Sequence, residues 1–244
     1  DVALLGASPG VPAVDPGAGP AGFLPLALFG ITPIGIGDEE IINFNVPAFE
    51  YAGVTYNAIG VDSNGYVVAG GADSEDNNCC NLPSGPNAAP PNNMLAPFWS
   101  DLDGTGAQGI FATTLTDGVD TWLVIEYAVN VFGTTQLVPF QVWIGVNGVE
   151  DISYAYDPAR LPGDPAGQDF LVGAENEIGQ GDMEAVLPTE DLRVVSTDPT
   201  PGESASYSLV VRGQDEGTGV VTTSMDADGV LGTTIVRTTI DITD

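Results

Sequence analysis

Pro91-Asn92-Asn93-Met94-Leu95-Ala96-Pro97-Phe98-Trp99-Ser100-Asp101-Leu102-Asp103-Gly104 is the stretch that decides the fold. An apolar run with two aromatics stands directly against two carboxylates one residue apart. The side chains of Phe98 and Trp99 need a core to enter, whereas Asp101 and Asp103 need water, donors or a cation. Pro97 and Gly104 punctuate the segment on either side of the acids. It reads as a short buried strand running into an acidic loop.

Outward from this pivot the β pattern repeats. Residues 41–46 alternate, and 54–61 follow a turn at Gly53. Asp62-Ser63-Asn64-Gly65 is a hairpin signal leading into 66–68. After the pivot come expected strands at 109–115, 120–127, 137–146, 149–156, 170–174 and 192–197. In 120–127, Trp122, Val124 and Glu126 face one way and Leu123, Ile125 and Tyr127 the other. No segment sustains a 3.6-residue period. With 32 Gly, 19 Pro and 43% apolar residues, the composition fits many short strands and frequent turns. The expected fold is all-β, a β-sandwich of jelly-roll type.

Three regions follow. Residues 1–22 form an N-terminal extension, in which Val2, Ala3, Leu4 and Leu5 make a short apolar strand and 9–22 a Pro/Gly-rich linker, extended and poor in hydrogen bonds. Residues 23–197 form the main sandwich. Residues 198–244 form a small C-terminal β unit with strands at 205–212, 219–225 and 233–242. The apolar strand either packs on its own domain or adds to a neighbouring subunit's sheet. The second arrangement makes the chain a homo-oligomer or polymer through a head-to-tail joint.

Charge excludes whole classes of function. The chain carries 34 Asp and Glu against 4 Arg, with no Lys and no His, a formal net charge of −30. Nucleic acid is excluded, because phosphate needs cationic partners, and anionic membrane surfaces are disfavoured. No apolar run approaches the ~20 residues that span a bilayer, so no membrane insertion is expected. Without His, neither a Ser-His-Asp nor a Cys-His nucleophile system can be built. A start at Asp1 with no basic leader is what a secreted protein looks like after signal-peptide removal.

The acids remain as possible ligands. Asp101-x-Asp103-Gly104, Asp117-Gly118-x-Asp120 and Asp226-x-Asp228-Gly229 are the candidate Ca²⁺ loops, since calcium takes six to eight oxygens and a Gly lets the loop wrap. None completes the EF-hand pattern, and Asp-Gly is also a turn signal. Glu126, Glu175 and Asp151 offer carboxylates for a glycosidase-like pair, although nothing in the sequence sets their separation. Trp143, Tyr154 and Tyr156 are either a carbohydrate platform or core. Adjacent Cys79 and Cys80 are free thiols, a vicinal disulfide, or bonded to other chains.

Six elements occur in order: Ser63-Asn64-Gly65-Tyr66-Val67-Val68, Pro91-Asn92-Asn93, Ala96-Pro97-Phe98-Trp99-Ser100-Asp101-Leu102, Thr121-Trp122-Leu123-Val124, Phe140-Gln141-Val142-Trp143-Ile144 and Val172-Gly173-Ala174-Glu175-Asn176. Together they resemble the β-rich accessory domain of secreted bacterial subtilisin-like (S8) proteases and, more remotely, the extracellular nidogen-type (NIDO) domain. The resemblance spans residues 30–195. It implies a non-enzymatic extracellular β-sandwich used for adhesion, targeting or assembly, with an extracellular protein or polysaccharide as partner.

The leading expectation is therefore a secreted structural protein that self-assembles by strand addition. A monomeric accessory binding module is the alternative, and a carboxylate-based glycoside hydrolase the third reading.

Overall fold

The computed structural model describes residues 8–200 except 106, together with the backbone of residues 217–225 and 234–242. The chain divides into two compact units, the larger being Pro9–Asp198.

The larger unit is a two-sheet antiparallel sandwich, as the alternation predicts. One sheet contains β1 (Pro12–Pro16), β6 (Leu102–Asp103), β7 (Gly109–Thr116), β8 (Thr121–Val131), β9 (Leu137–Gly145), β10 (Ile152–Tyr156) and β13 (Leu192–Ser196). Its order is β1-β13-β10-β9-β8-β6, with β7 also paired to β8. The other contains β2 (Ile41–Tyr51), β3 (Val54–Asp62), β4 (Val67–Ala69), β5 (Met94–Ser100), β11 (Phe170–Glu175) and β12 (Gly181–Glu184), in the order β12-β11-β5-β4-β3-β2. The β2–β3 hairpin closes through Ala52 and Gly53, both at positive φ, the geometry that matches the twist of paired strands.

Between the sheets lies one core. Ile125, Tyr127, Phe140 and Val142 enter it from the first sheet, and Val61, Val67, Leu95 and Phe98 from the second. Both outer faces are covered as well. Trp122, Val124 and Trp143 are packed beneath Phe23, Leu24 and Leu26 of the segment that enters the sandwich, in which Leu26–Phe29 form a single 3₁₀ turn. Tyr66, Met94, Trp99 and Leu171 lie beneath Leu82 of the 71–93 segment. Double coverage explains why all seven residues of β5 are buried and why the pivot reads as a continuous apolar run instead of an alternating one.

Pro97 sits inside this buried strand because β5 bulges there. Trp99 pairs with Leu171 and Ala96 with Gly173, so Pro97 and Phe98 together oppose Val172. A bulge needs no ladder donor at the extra position, which is where a mid-sheet Pro is tolerated.

One expectation is corrected. The Pro/Gly stretch 9–22 is not a hydrogen-bond-poor linker: Pro12–Pro16 pair antiparallel with β13 in a five-residue register, and the Asn176 amide donates to Gly10 O at 3.0 Å. Of the two readings of Trp143, Tyr154 and Tyr156, core is the one the structure bears out, since each is at most 2% exposed. The tyrosine hydroxyls are instead spent inside the core.

The smaller unit contains an antiparallel ribbon, β14 (Gly217–Met225) with β15 (Thr234–Ile242). In the same unit Ser8 and Thr200 exchange two backbone hydrogen bonds of 2.9 Å. The strand expected at 205–212 and the apolar residues Val2, Ala3, Leu4 and Leu5 lie outside the described residues.

Candidate functional site

At the rim of the six-stranded sheet, four stretches distant in sequence meet: residues 38–40, the turn after β3, residues 76–80, and Asp101 between β5 and β6. Alternation places them. Val61 points into the core, so Asp62 points to the outer face, where it is fully buried. Asn64 ties the turn to its neighbours. Its N–H donates to Asp62 Oδ1 at 2.7 Å, its amide donates to Glu39 Oε2 at 3.4 Å, and its Oδ1 accepts the Leu102 N–H at 3.0 Å.

The remaining ligand-type atoms converge on Glu39. Carboxylate oxygens of Glu39 and Asp101 and the sulfurs of Cys79 and Cys80 lie within 4.8 Å of one another. Cys79 and Cys80 are joined as a vicinal disulfide, so the sulfurs are not thiolate ligands and the chemistry there belongs to oxygen. Asn77 donates its amide to Glu39 O at 2.7 Å, which leaves its Oδ1 as the free acceptor.

The carboxyls are electrostatically strained. Burial pushes Asp62 up to about 7, the Asn64 N–H opposing and the Glu39 charge adding to it. Burial likewise raises Glu39, with the charges of Asp101 and Asp38 contributing, and raises Asp101, with Asp38 contributing. For Asp38 the causes are burial and then Asp103. Arginine is absent from this group of interactions; Asp62 is compensated by the Asn64 amides and the Tyr66 hydroxyl, and Glu39 by the Asn64 side chain.

The segment 71–93 roofs the adjoining face and is fastened at many points. The Tyr66 hydroxyl donates to Asp76 O and accepts the Asn78 N–H at 3.0 Å. Trp99 Nε1 donates to Asn78 O at 2.8 Å, and the Asn87 N–H to Glu175 Oε2 at 2.9 Å. Asn92, in the amide orientation that satisfies both partners, donates to Glu175 Oε1 at 2.8 Å and Asn87 O at 2.9 Å. A pocket of about 130 Å³ with mixed walls remains, bordered by Asn78, Asn87, Pro90, Pro91, Trp99 and Glu175.

Of the loops expected to bind calcium, the structure brings only Asp101 and Asp103 to this rim. Asp103 Oδ1 is already engaged by Thr105, accepting its N–H at 2.8 Å and its hydroxyl at 2.6 Å. Asp117 Oδ1 accepts the N–H groups of Val119 and Asp120 at 2.9 and 2.8 Å, and these bonds lower its pKa. It shapes a hairpin turn. Asp226 and Asp228 lie outside the described residues. Glu39, Asp62 and Asn77 were missed by sequence reasoning. Asp62 was hidden in a hairpin signal, and only the fold joins it to the others.

The carboxylates considered for glycoside hydrolysis are not brought together. Glu126 is on β8 of one sheet and Glu175 on β11 of the other. Glu126 accepts the Leu26 N–H at 2.5 Å and the Gln141 amide at 3.1 Å. Asp151 pairs with Arg193 at 2.6 Å. Each is spent on structure.

No curated protein and no solved structure matches the chain at a significant level. The matching family model is "NIDO related", over residues 32–208. That span takes in the six-stranded sheet, the 71–93 roof and the whole run from β2 to β13, and no part of it speaks to accessory domains of subtilisin-like proteases. Covering well over half of the sequence, it shows that the chain belongs to the NIDO-related family.

Proposed function

We propose that this chain is a non-enzymatic extracellular recognition module whose contact surface is the roof formed by residues 71–93. The observation that carries the reading is the fastening of that segment. It has no helix or strand from residue 71 to 93, yet side-chain hydrogen bonds from Tyr66, Asn77, Asn92, Trp99 and Glu175 hold it. Long segments without regular structure in a packed domain are commonly functional, and a loop ordered beforehand loses little entropy on binding. NIDO-type domains are extracellular modules without catalysis, and a chain without His cannot assemble the usual nucleophile systems. A net charge of −30 selects a neutral or cationic partner, an extracellular protein or an uncharged polysaccharide.

The test is binding of the purified chain to a panel of neutral polysaccharides and cationic extracellular proteins by biolayer interferometry. Ser84→Arg and Ala88→Arg alter exposed roof positions and are expected to abolish binding. A partner that binds both variants as well as the parent chain sinks the proposal.

Self-assembly by strand addition is the second reading. Its support is the edge of β2, an 11-residue strand with no partner on its outer side among the described residues. Against it stands the pairing of Ser8 with Thr200 of the same chain. Light scattering decides: filaments lost on deletion of residues 1–8 favour assembly, and a 25 kDa monomer excludes it.

A further inference from the structure

Trp122 and Trp143 lie edge to face on the outer side of the seven-stranded sheet, their ring centroids 6.4 Å apart. Their indole N–H groups are already used, donating to Asp151 Oδ2 at 3.2 Å and to Gln141 Oε1 at 3.0 Å. Between the entering segment and the β7–β8 hairpin a pocket of about 180 Å³ stays open beside them. Leu24, Phe29, Leu115 and the two tryptophans supply its apolar walls, and Asp117 stands on its border.

The two most exposed large apolar side chains among the described residues belong to the same two stretches. Val119 is 89% exposed in the turn that Asp117 shapes, and Leu28 is 81% exposed next to Phe29, itself 56% exposed. A single exposed leucine needs no explanation, but several such side chains gathered round an aromatic pocket mark a contact surface. The pocket is smaller than the about 300–1,000 Å³ of small-molecule sites, so it admits one side chain. Trp122 and Trp143 are 7% and 2% exposed, which leaves too little ring for a flat ligand to stack on. A second copy of the chain is disfavoured, because each copy carries a net charge of −30. Charge points to the opposite sign. Asp117 accepts the Val119 and Asp120 N–H groups on Oδ1; these bonds hold its carboxyl below the ordinary range, so it stays ionised with Oδ2 open to a cation.

We propose that this pocket is a second contact site, on the sheet opposite the roof, and that its occupant is an apolar side chain flanked by Arg or Lys on a cationic extracellular protein. The apolar side chain is the anchor, desolvated among Phe29, Leu115 and the tryptophans. Asp117 at the border selects the flanking charge.

The experiment titrates the full ¹⁵N-labelled chain with an end-capped pentapeptide, phenylalanine between two arginines with a glycine at each end. The three tryptophans report separately, Trp122 and Trp143 at the pocket and Trp99 beneath the roof. Saturable shifts of the Trp122 and Trp143 indole N–H signals are expected, with Trp99 unmoved. Phe29→Ala weakens the peptide on the order of tenfold, at an unchanged Tm because the ring is half outside. Asp117→Asn keeps an acceptor for its turn but loses the charge, so binding weakens and no longer falls as NaCl is raised. Ser84→Arg and Ala88→Arg on the roof bind the peptide as the parent chain does, so the two faces succeed or fail separately.

The assignment is overturned by the absence of shifts at about 10 mM peptide. Equal shifts from a peptide with glycine in place of phenylalanine, or glutamate in place of the arginines, overturn it as well. Movement of Trp99 in place of the other two puts the binding at the roof and removes this site.

Discussion

The Tyr156 hydroxyl donates a 2.8 Å hydrogen bond across the core to the carbonyl of Pro97. The bulge at Pro97–Phe98 takes that carbonyl out of the β5–β11 ladder, and the tyrosine of the opposite sheet satisfies it. Tyr154 does the same for Gly173 O at 2.7 Å, and Tyr127 for Tyr66 O at 2.7 Å. Burial raises all three hydroxyls well above the usual tyrosine range, so they stay protonated donors. Three hydroxyls thus set how the two sheets stack. Tyr156→Phe leaves the Pro97 carbonyl buried and unpaired, and is expected to cost about 1–3 kcal/mol. Urea denaturation measures it; a loss below about 0.3 kcal/mol means the carbonyl finds another donor.

Glu126 fastens the entering segment. Its carboxylate accepts the Leu26 N–H, and the neighbouring Gln141 brackets Leu24, accepting its N–H at 3.1 Å and donating to its carbonyl. Burial raises the Glu126 carboxyl, opposed by these donors. Glu126→Ala removes the acceptor and opens a void beside Gln141. Faster hydrogen exchange at Leu26 and a loss of about 2–4 kcal/mol are expected. Unchanged exchange at Leu26 would show that Gln141 and the apolar packing suffice.

The Arg193–Asp151 pair at 2.6 Å is the only salt bridge among the described residues, and the arginine side chain is 48% exposed. Exposed pairs are worth little, so Arg193→Ala is expected to change stability by less than about 1 kcal/mol. Salt should act through the net charge of −30 instead. Raising NaCl from about 0.1 to about 1 M screens self-repulsion and raises Tm. A Tm that falls with salt would assign this pair more weight than its exposure allows.

Much of the sandwich was legible because the longer strands carry alternation and turn chemistry, while β4, β5 and β11 stand out as short apolar runs bounded by turn residues. Asn147 and Gly148, for example, take the positive φ values expected of an Asn-Gly turn. What escaped was what lies at the edges. The strand at Pro12–Pro16 is bracketed by prolines, which edge strands tolerate and sequence patterns read as linker. The four-residue β12 is too short and polar to show a period. The acidic rim was half visible. Asp101 stands in an Asp-x-Asp-Gly signal, but Glu39, Asp62 and Asn77 carry no local signal. Their meaning comes from burial, which composition alone cannot reveal. Conversely, Asp103 and Asp117 match a ligand pattern, and their Oδ1 atoms accept hydrogen bonds within their own turns.

Glu175 makes the stability of the roof depend on pH. The side chain is 2% exposed, and burial lifts its carboxyl to about 7, opposed by the Asn87 N–H. In the unfolded chain the same group ionises at the ordinary value near 4.5. Folding therefore favours the protonated form, and the sign follows: the contribution is fully present below pH 4.5, is lost as pH rises toward 7, and is flat above it. The loss amounts to about 3 kcal/mol. Glu175→Gln keeps an acceptor for Asn87 and cannot ionise. Subtracting the two Tm-against-pH curves cancels the other carboxylates, which titrate in both chains. The difference should be near zero at pH 4, open between 4.5 and 7 in favour of the glutamine variant, and stay constant above. A difference curve that is flat across this window would place the Glu175 carboxylate in contact with water, and the roof would then be looser than its hydrogen bonds to Asn87 and Asn92 imply.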